Sequence, residues 1–173
     1  MLTRKLLMQR SESRSQVMLM CGVSGSGKTF HALRLVSEGY LRLSTDAIIW
    51  NRFGKELHRL SPEQKRTAFM EAAAELRMRV EDCLKKNQKI VVDATHCRRE
   101  VRDNMRNLCQ QFGIRPLFVY CDASEDILWE RLSVRKGEDS DSLPVTREEL
   151  SRYTAGFCRP QPDEKDFINA EKL

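Results

Sequence analysis

Short, unbroken apolar runs alternate along this chain with longer stretches of helical pattern. The runs are strand-sized: "VMLMC" at Val17–Cys21, "YLRLS" at Tyr40–Ser44, "KIVVDAT" through Asp93, "RPLFVYCD", and a short "DFINA" near the end. Between them the pattern predicts helices from Lys28 to about Ser37, Pro62 to about Lys86, Arg99 to about Phe112, over "SEDILWERLSVR", and over "TREELSRYTAGF". Several ends are marked chemically. Ser61, Pro62 and Gln64 form a start signal with a capping box, Thr146 and Glu149 form another, and Gly113 suits a C-terminal stop. Strands that alternate with helices predict an α/β fold around a five-stranded parallel sheet.

Composition sharpens this only a little. At 173 residues the chain reads as a single domain, with residues 1–16 as an N-terminal arm and 17–173 as the folded unit. No apolar run approaches the ~20 residues of a membrane span. The first sixteen residues lack the apolar core of a secretory signal. Six cysteines occur without a C-x-x-C pair, which predicts free thiols and a cytoplasmic setting. Thirty basic against 25 acidic residues give a net charge of +5, modestly favourable to an anionic substrate. His31 and His58 read as structural, and Trp50 and Phe53 as core residues.

The chemistry begins at "GVSGSGKT", Gly22–Thr29, which has the form G-x-x-x-x-G-K-[ST]. It follows a predicted strand and opens a predicted helix, the setting in which such a loop binds nucleotide phosphates. Gly22, Gly25 and Gly27, with Ser24 and Ser26 between them, let the backbone curl so that N–H groups face a phosphate chain. The helix start adds a partial positive charge. Lys28 is expected on the β- and γ-phosphates and the Thr29 hydroxyl on Mg²⁺, which predicts ATP and magnesium as cofactors. The guanine-reading N-K-x-D and the transporter signature L-S-G-G-Q are absent. A motor or helicase needs more chain. A small kinase remains.

A kinase also needs a carboxylate that activates an acceptor hydroxyl, and arginines that neutralise the transferring phosphoryl group. Asp46 lies just past the second predicted strand and Asp93 ends the third. In a parallel sheet both would stand at the ligand crevice, beside the Gly22–Thr29 loop. "ERLSVR" sets Arg131 and Arg135 four residues apart, on one helix face. The polar loop "KGEDSDSLP" follows and would close as a lid, excluding water.

"GVSGSGKT", "LSTD", "VVDATH", "ERLSVR" and "PVTREELSRYTAGF" occur in the order found in the polynucleotide kinase-like branch of the small P-loop kinases, within the zeta toxin and AAA-type ATP-binding kinase superfamily. The resemblance spans about residues 17–170. It implies a three-layer P-loop NTPase fold with strand order 2-3-1-4-5, helices on both faces and a small lid. It implies transfer of the ATP γ-phosphate to a hydroxyl, in polynucleotide kinases the 5′-OH of DNA or RNA. It assigns Lys28 and Thr29 to phosphate and Mg²⁺, Asp46 to the general base, Asp93 to the metal or acceptor side, Arg135 to the transferring phosphoryl group and Arg131 to the nucleotide. Two acceptor-side positions depart from the pattern. The arginine three residues after the base is Ile49 here, with Arg52 the nearest arginine, and the asparagine after D-x-T is His96. Arg98 and Arg99 are further candidates for acceptor phosphate. A small-molecule kinase for a nucleoside, sugar or antibiotic hydroxyl is the alternative enzyme, and an ATP-binding switch the alternative of another class.

Overall fold

The computed structural model describes residues 15–141 and 143–173, so the arm 1–16 falls almost wholly outside the described residues. Five parallel strands form one sheet: β1 Val17–Cys21, β2 Leu41–Ser44, β3 Ile90–Asp93, β4 Leu117–Tyr120 and β5 Phe167–Asn169. Their order is β2-β3-β1-β4-β5, as expected. β1 is fully buried at every position and pairs with β3 on one side (Val17 opposite Ile90) and β4 on the other (Cys21 opposite Tyr120). From β1 the sheet grows outward both ways, through β3 and β2 and through β4 and β5. The crevice for a ligand therefore opens above the carboxyl end of β1.

Helices cover both faces. They are α1 Lys28–Ser37, α2 Thr45–Phe53, α3 Pro62–Lys85, α4 Arg99–Gln111, α5 Glu125–Ser133 and α6 Arg147–Ala155. Side chains that alternate along the strands divide the core. Val17, Leu19, Val92 and Phe118 face α3 and α4, meeting Ala72, Leu76, Val80, Met105 and Leu108. Met18, Met20, Val91 and Val119 face α1, meeting Ala32 and Leu35. A third cluster, Leu128, Leu132 and Leu150, joins α5 to α6 and packs on Val23. No helix among the described residues is long and apolar enough to cross a membrane.

Helix starts follow the marked residues. Ser61 and Gln64 close a capping box on α3, and Thr146 and Glu149 another on α6. The sequence pattern omitted α2. It begins directly where β2 ends, because Ser44 turns from its last strand position to cap the helix, accepting from Ala47 N at 3.2 Å. Ile48 and Ile49 anchor α2 in the core.

The segment before β5 is fastened by buried charge. Arg102 of α4 has no solvent exposure and pairs with Glu164 through Nη2–Oε1 at 2.6 Å and Nε–Oε2 at 2.9 Å. It also donates to the carbonyls of His96 and Cys158. Arg106 reaches Glu164 and Asp166 and lies over the Phe118 ring, 4.7 Å from its centroid. Burial opposes the Glu164 charge, but the two arginines and the Gln161 N–H outweigh it and bring its pKa down from 4.5 to about 2.

Removing one partner of such a pair strands the other charge. Glu164→Ala is expected to lower unfolding free energy by about 3 kcal/mol in guanidinium titrations, while Asp163→Ala next to it leaves the midpoint in place. The Glu164 contribution is complete above pH 4.5 and is lost as pH falls toward about 2.

Candidate active site

The phosphate loop leaves β1 at Gly22, whose φ of 153° is reached easily only by glycine. A Cβ at Gly22 would strike the Cys121 carbonyl oxygen and come within 2.6 Å of Ser26 Oγ. Gly22 N donates to Thr95 O at 3.1 Å, tying the loop to the segment after β3. Gly25 and Gly27 also hold positive φ, at 85° and 100°. Gly27 is the N-cap of α1. It offers no side-chain cap, and the first turn carries no acidic residue. The leading N–H groups of α1 are thus left for an anion. Ser24 lies in the loop half-buried, and Ser26 is buried.

Lys28 folds back along the loop, its Nζ donating to Val23 O at 2.9 Å. Burial lowers its pKa, while the charges of Asp93 and Asp46 oppose the shift. Lys28 therefore senses both carboxylates that the sequence placed at the crevice. Thr29 Oγ1 donates to Asp93 Oδ2 at 2.9 Å. These hard oxygens fit magnesium, which takes one or two protein oxygens and completes its octahedron with phosphate and water.

Asp46 sits in the first turn of α2, half-buried, and no hydrogen bond to its carboxylate occurs among the described residues. Burial raises its pKa above 3.8, against the pull of Lys28, with Asp93 adding repulsion and Arg135 attraction. The N-cap role open to an aspartate here belongs instead to Ser44.

The two arginines diverge. α5 ends at Ser133, so Arg131 is helical and Arg135 lies just beyond, where its N–H closes the last turn on Leu132 O. Arg131 Nη1 donates down to Gly25 O at 3.1 Å, holding α5 to the phosphate loop. Arg135 Nη1 donates to Leu143 O at 3.4 Å, and burial lowers its pKa while Asp46 and Asp141 oppose the shift. The structure thus brings Lys28, Thr29, Asp46, Asp93, Arg131 and Arg135 to one crevice.

Three expected residues do not reach it. His96 is 3% exposed. Its Nδ1 pairs with Met20 O at 2.6 Å and its ring stands edge-on to Phe118. A φ of 44° turns it inward, so it fills the core and not the acceptor side. Arg52 is held by Glu71 at 3.0 Å and by Glu75, both of α3, because it lies on the face of α2 that meets that helix. Arg99 is likewise paired, with Asp163 at 2.6 Å.

Two residues at the crevice were missed. Arg42, mid-strand in β2, donates to Asp93 Oδ2 from Nε (3.0 Å) and Nη2 (2.7 Å). It also grips Asp141 of the lid loop, at 3.1 and 2.6 Å. Burial works against its charge, yet both carboxylates keep its pKa raised. The available signal was a cation in the middle of a short apolar strand. Tyr153 of α6 also feels the Asp46 charge, after burial and Glu149, and its pKa is raised.

Residues 17–160 match the family described as "AAA domain". The chain belongs to that family. A putative kinase from Chloroflexus aurantiacus j-10-fl superposes on this AAA domain with a TM-score of 0.72 at 22% identity, covering 91% of this chain and 88% of that one. A gluconokinase from Sinorhizobium meliloti 1021 follows with 0.65 at 20%, covering 90% and 82%. In a Pnkp1/Rnl/Hen1 complex one chain superposes with 0.56 at 20%, covering 69% of this chain and 40% of that one. No curated protein matches. At these identities the superpositions show the fold, which is that of P-loop kinases.

His96 gives this AAA domain an acid-sensitive core. Burial lowers its pKa from 6.5 to about 4, so the folded state resists its protonation. Stability is complete above pH 6.5 and is lost as pH falls toward about 4. His96→Asn, which tolerates positive φ, is expected to flatten that slope in urea titrations at stepped pH while ATP affinity stays within twofold.

Proposed function

We propose that this AAA domain is an ATP- and magnesium-dependent kinase that moves the γ-phosphate to the hydroxyl of a small acceptor molecule. The observation that carries the reading is Asp46: a carboxylate raised in pKa by burial, within the electrostatic reach of both Lys28 and Arg135. A nucleotide-reporting switch has no use for such a base, whereas hydroxyl transfer requires one.

The loop N–H groups and Lys28 bind the phosphate chain. Asp46 accepts the acceptor's hydroxyl proton as its oxygen approaches the γ-phosphate. Its raised pKa makes it a stronger base than an ordinary aspartate. Arg135 offsets charge on the transferring group. Thr29 and Asp93 would hold magnesium, which when bound neutralises phosphate charge. Closure of the loop after Arg135 excludes water that would compete with the acceptor.

A nucleic acid 5′-OH was the leading acceptor from the motifs. What favours a small molecule is the fate of the basic residues meant for strand phosphates. Arg52 and Arg99 are each paired with carboxylates and His96 is enclosed and neutral, while Arg98, exposed at the N-cap of α4, has no such pair among the described residues. A gluconokinase among the structural neighbours agrees with this reading.

Asp46→Asn is expected to reduce phosphoryl transfer by about 10²–10⁴-fold while changing ATP affinity less than about threefold; Lys28→Ala should weaken ATP binding itself. Labelled ATP and a panel of sugars, polyols, nucleosides and 5′-OH oligonucleotides provide the assay. Because Asp46 must be ionised, kcat/KM falls as pH drops through its raised pKa, and Asp46→Asn removes that limb. Full transfer by Asp46→Asn would remove the base assignment, and labelled oligonucleotide alone would restore the polynucleotide reading.

A further inference from the structure

The base and the phosphoryl-stabilising arginine of the proposed reaction come from separate parts of the chain. Asp46 lies in the first turn of α2, which continues β2 without a break. Arg135 lies in the loop between α5 and α6. Where the two stand relative to each other depends on what fastens that loop to β2. Arg42 does so directly. It holds Asp141 of the loop through Nη2–Oδ1 at 2.6 Å and Nη1–Oδ2 at 3.1 Å.

We propose that Arg42 is a positioning residue: by gripping Asp141 it sets Arg135 in place for the transferring phosphoryl group, in register with Asp46. The proposal rests on the kinase reading above. Arg42 is itself fixed. It sits mid-strand opposite Val91 of β3, its side chain is mostly buried, and Nε and Nη2 both donate to Asp93 Oδ2, at 3.0 and 2.7 Å. A planar guanidinium bonded along one edge has its remaining donors aimed in one direction. Those donors meet both oxygens of Asp141, and a fork of two parallel bonds fixes orientation as well as distance.

The loop carries that position on to Arg135. Asp141 N donates to Asp139 Oδ1 at 2.8 Å. Leu143 is buried, and its carbonyl accepts from Arg135 Nη1 at 3.4 Å. Gly137 lies against Pro144, so closely that a Cβ there would come within 3.1 Å of the proline Cδ. A shift of Asp141 therefore carries Arg135 with it. Stability alone does not call for this arrangement, because apolar residues of similar volume often replace a buried ion pair without loss. What the charges add is direction.

Asp141→Asn removes the charge from the grip and leaves Arg42 on Asp93. For the acceptor found in the labelled-ATP panel, its kcat is expected to fall about tenfold with KM for ATP within twofold, since misplacing a group that acts on the transferring phosphoryl costs rate and not nucleotide binding. Arg42→Gln should lose at least as much, and adding Asp141→Asn to it should cost nothing further, because the grip is already gone. Arg42→Lys, which keeps the charge without the fork, should recover part of the rate. A second readout needs no substrate. Trypsin cuts after Arg135 or Lys136, and cutting is expected to be several-fold faster in Asp141→Asn than in the wild-type protein. Each protein is digested at the same interval below its own melting midpoint, so that global unfolding does not count. Unchanged kcat or unchanged cutting in Asp141→Asn, or additive losses in the double variant, overturns the proposal and leaves the kinase reading standing. A wild-type protein that binds ATP but transfers to no acceptor removes the kinase reading, and this proposal with it.

Discussion

One oxygen, Asp93 Oδ2, ties together three parts of the molecule that sequence keeps far apart. It accepts from Thr29 at the head of α1 and from two nitrogens of Arg42 in β2. Through Arg42 it is linked to Asp141 of the lid loop. β3 supplies the position: Asp93 is its last residue, opposite Ser44, so its side chain emerges where the buried sheet meets the crevice. A half-buried guanidinium between two carboxylates is held by charge-assisted bonds from both sides. The lid therefore rests on the same group that aligns the phosphate loop's threonine.

Around that anchor the crevice is arranged by burial more than by direct pairing. Lys28 bonds to a carbonyl, and Asp46 forms no bond among the described residues. Their pKa values move toward each other: burial lowers the amine and raises the carboxyl. Desolvation disfavours both charges, and each offsets part of the other's cost. A site of this kind is ready for a ligand that brings charge of its own. On the proposed reading, phosphates would meet the amine and the uncapped start of α1, and the acceptor's hydroxyl would meet the carboxylate.

What could be read from sequence was what local pattern determines. The β1–loop–α1 unit and the capped starts of α3 and α6 are written in contiguous residues, whereas the strand order followed only from the family resemblance. α2 escaped because "STDAIIWNR" follows its strand without a break, and Ser44 serves both elements. His96 and Arg52 were misplaced because their roles depend on partners far along the chain: Met20 O in one case, Glu71 and Glu75 in the other. Arg42 was missed for the same reason, since Asp93 and Asp141 lie 51 and 99 residues away. Motif spacing picked out groups that meet at one crevice. It could not show which cations were already neutralised, and that is what bears on the acceptor.

The packing also limits what can move when substrates bind. A Cβ at Gly25 would meet Leu128 O and Leu132 Cγ at 3.1 Å, so the phosphate loop lies directly on α5. Arg131 adds a bond from α5 to Gly25 O. Leu150 places α6 in the same cluster as Leu128 and Leu132, with Val23 of the loop against it. Neither helix can swing away without exposing that cluster. The loop that follows α5 carries Arg135 and the Asp141 that Arg42 holds. That grip joins the stretch after α5 to β2 and, through Asp93, to Thr29, so the crevice is braced on the lid side by ion pairs and on the α5 side by apolar packing.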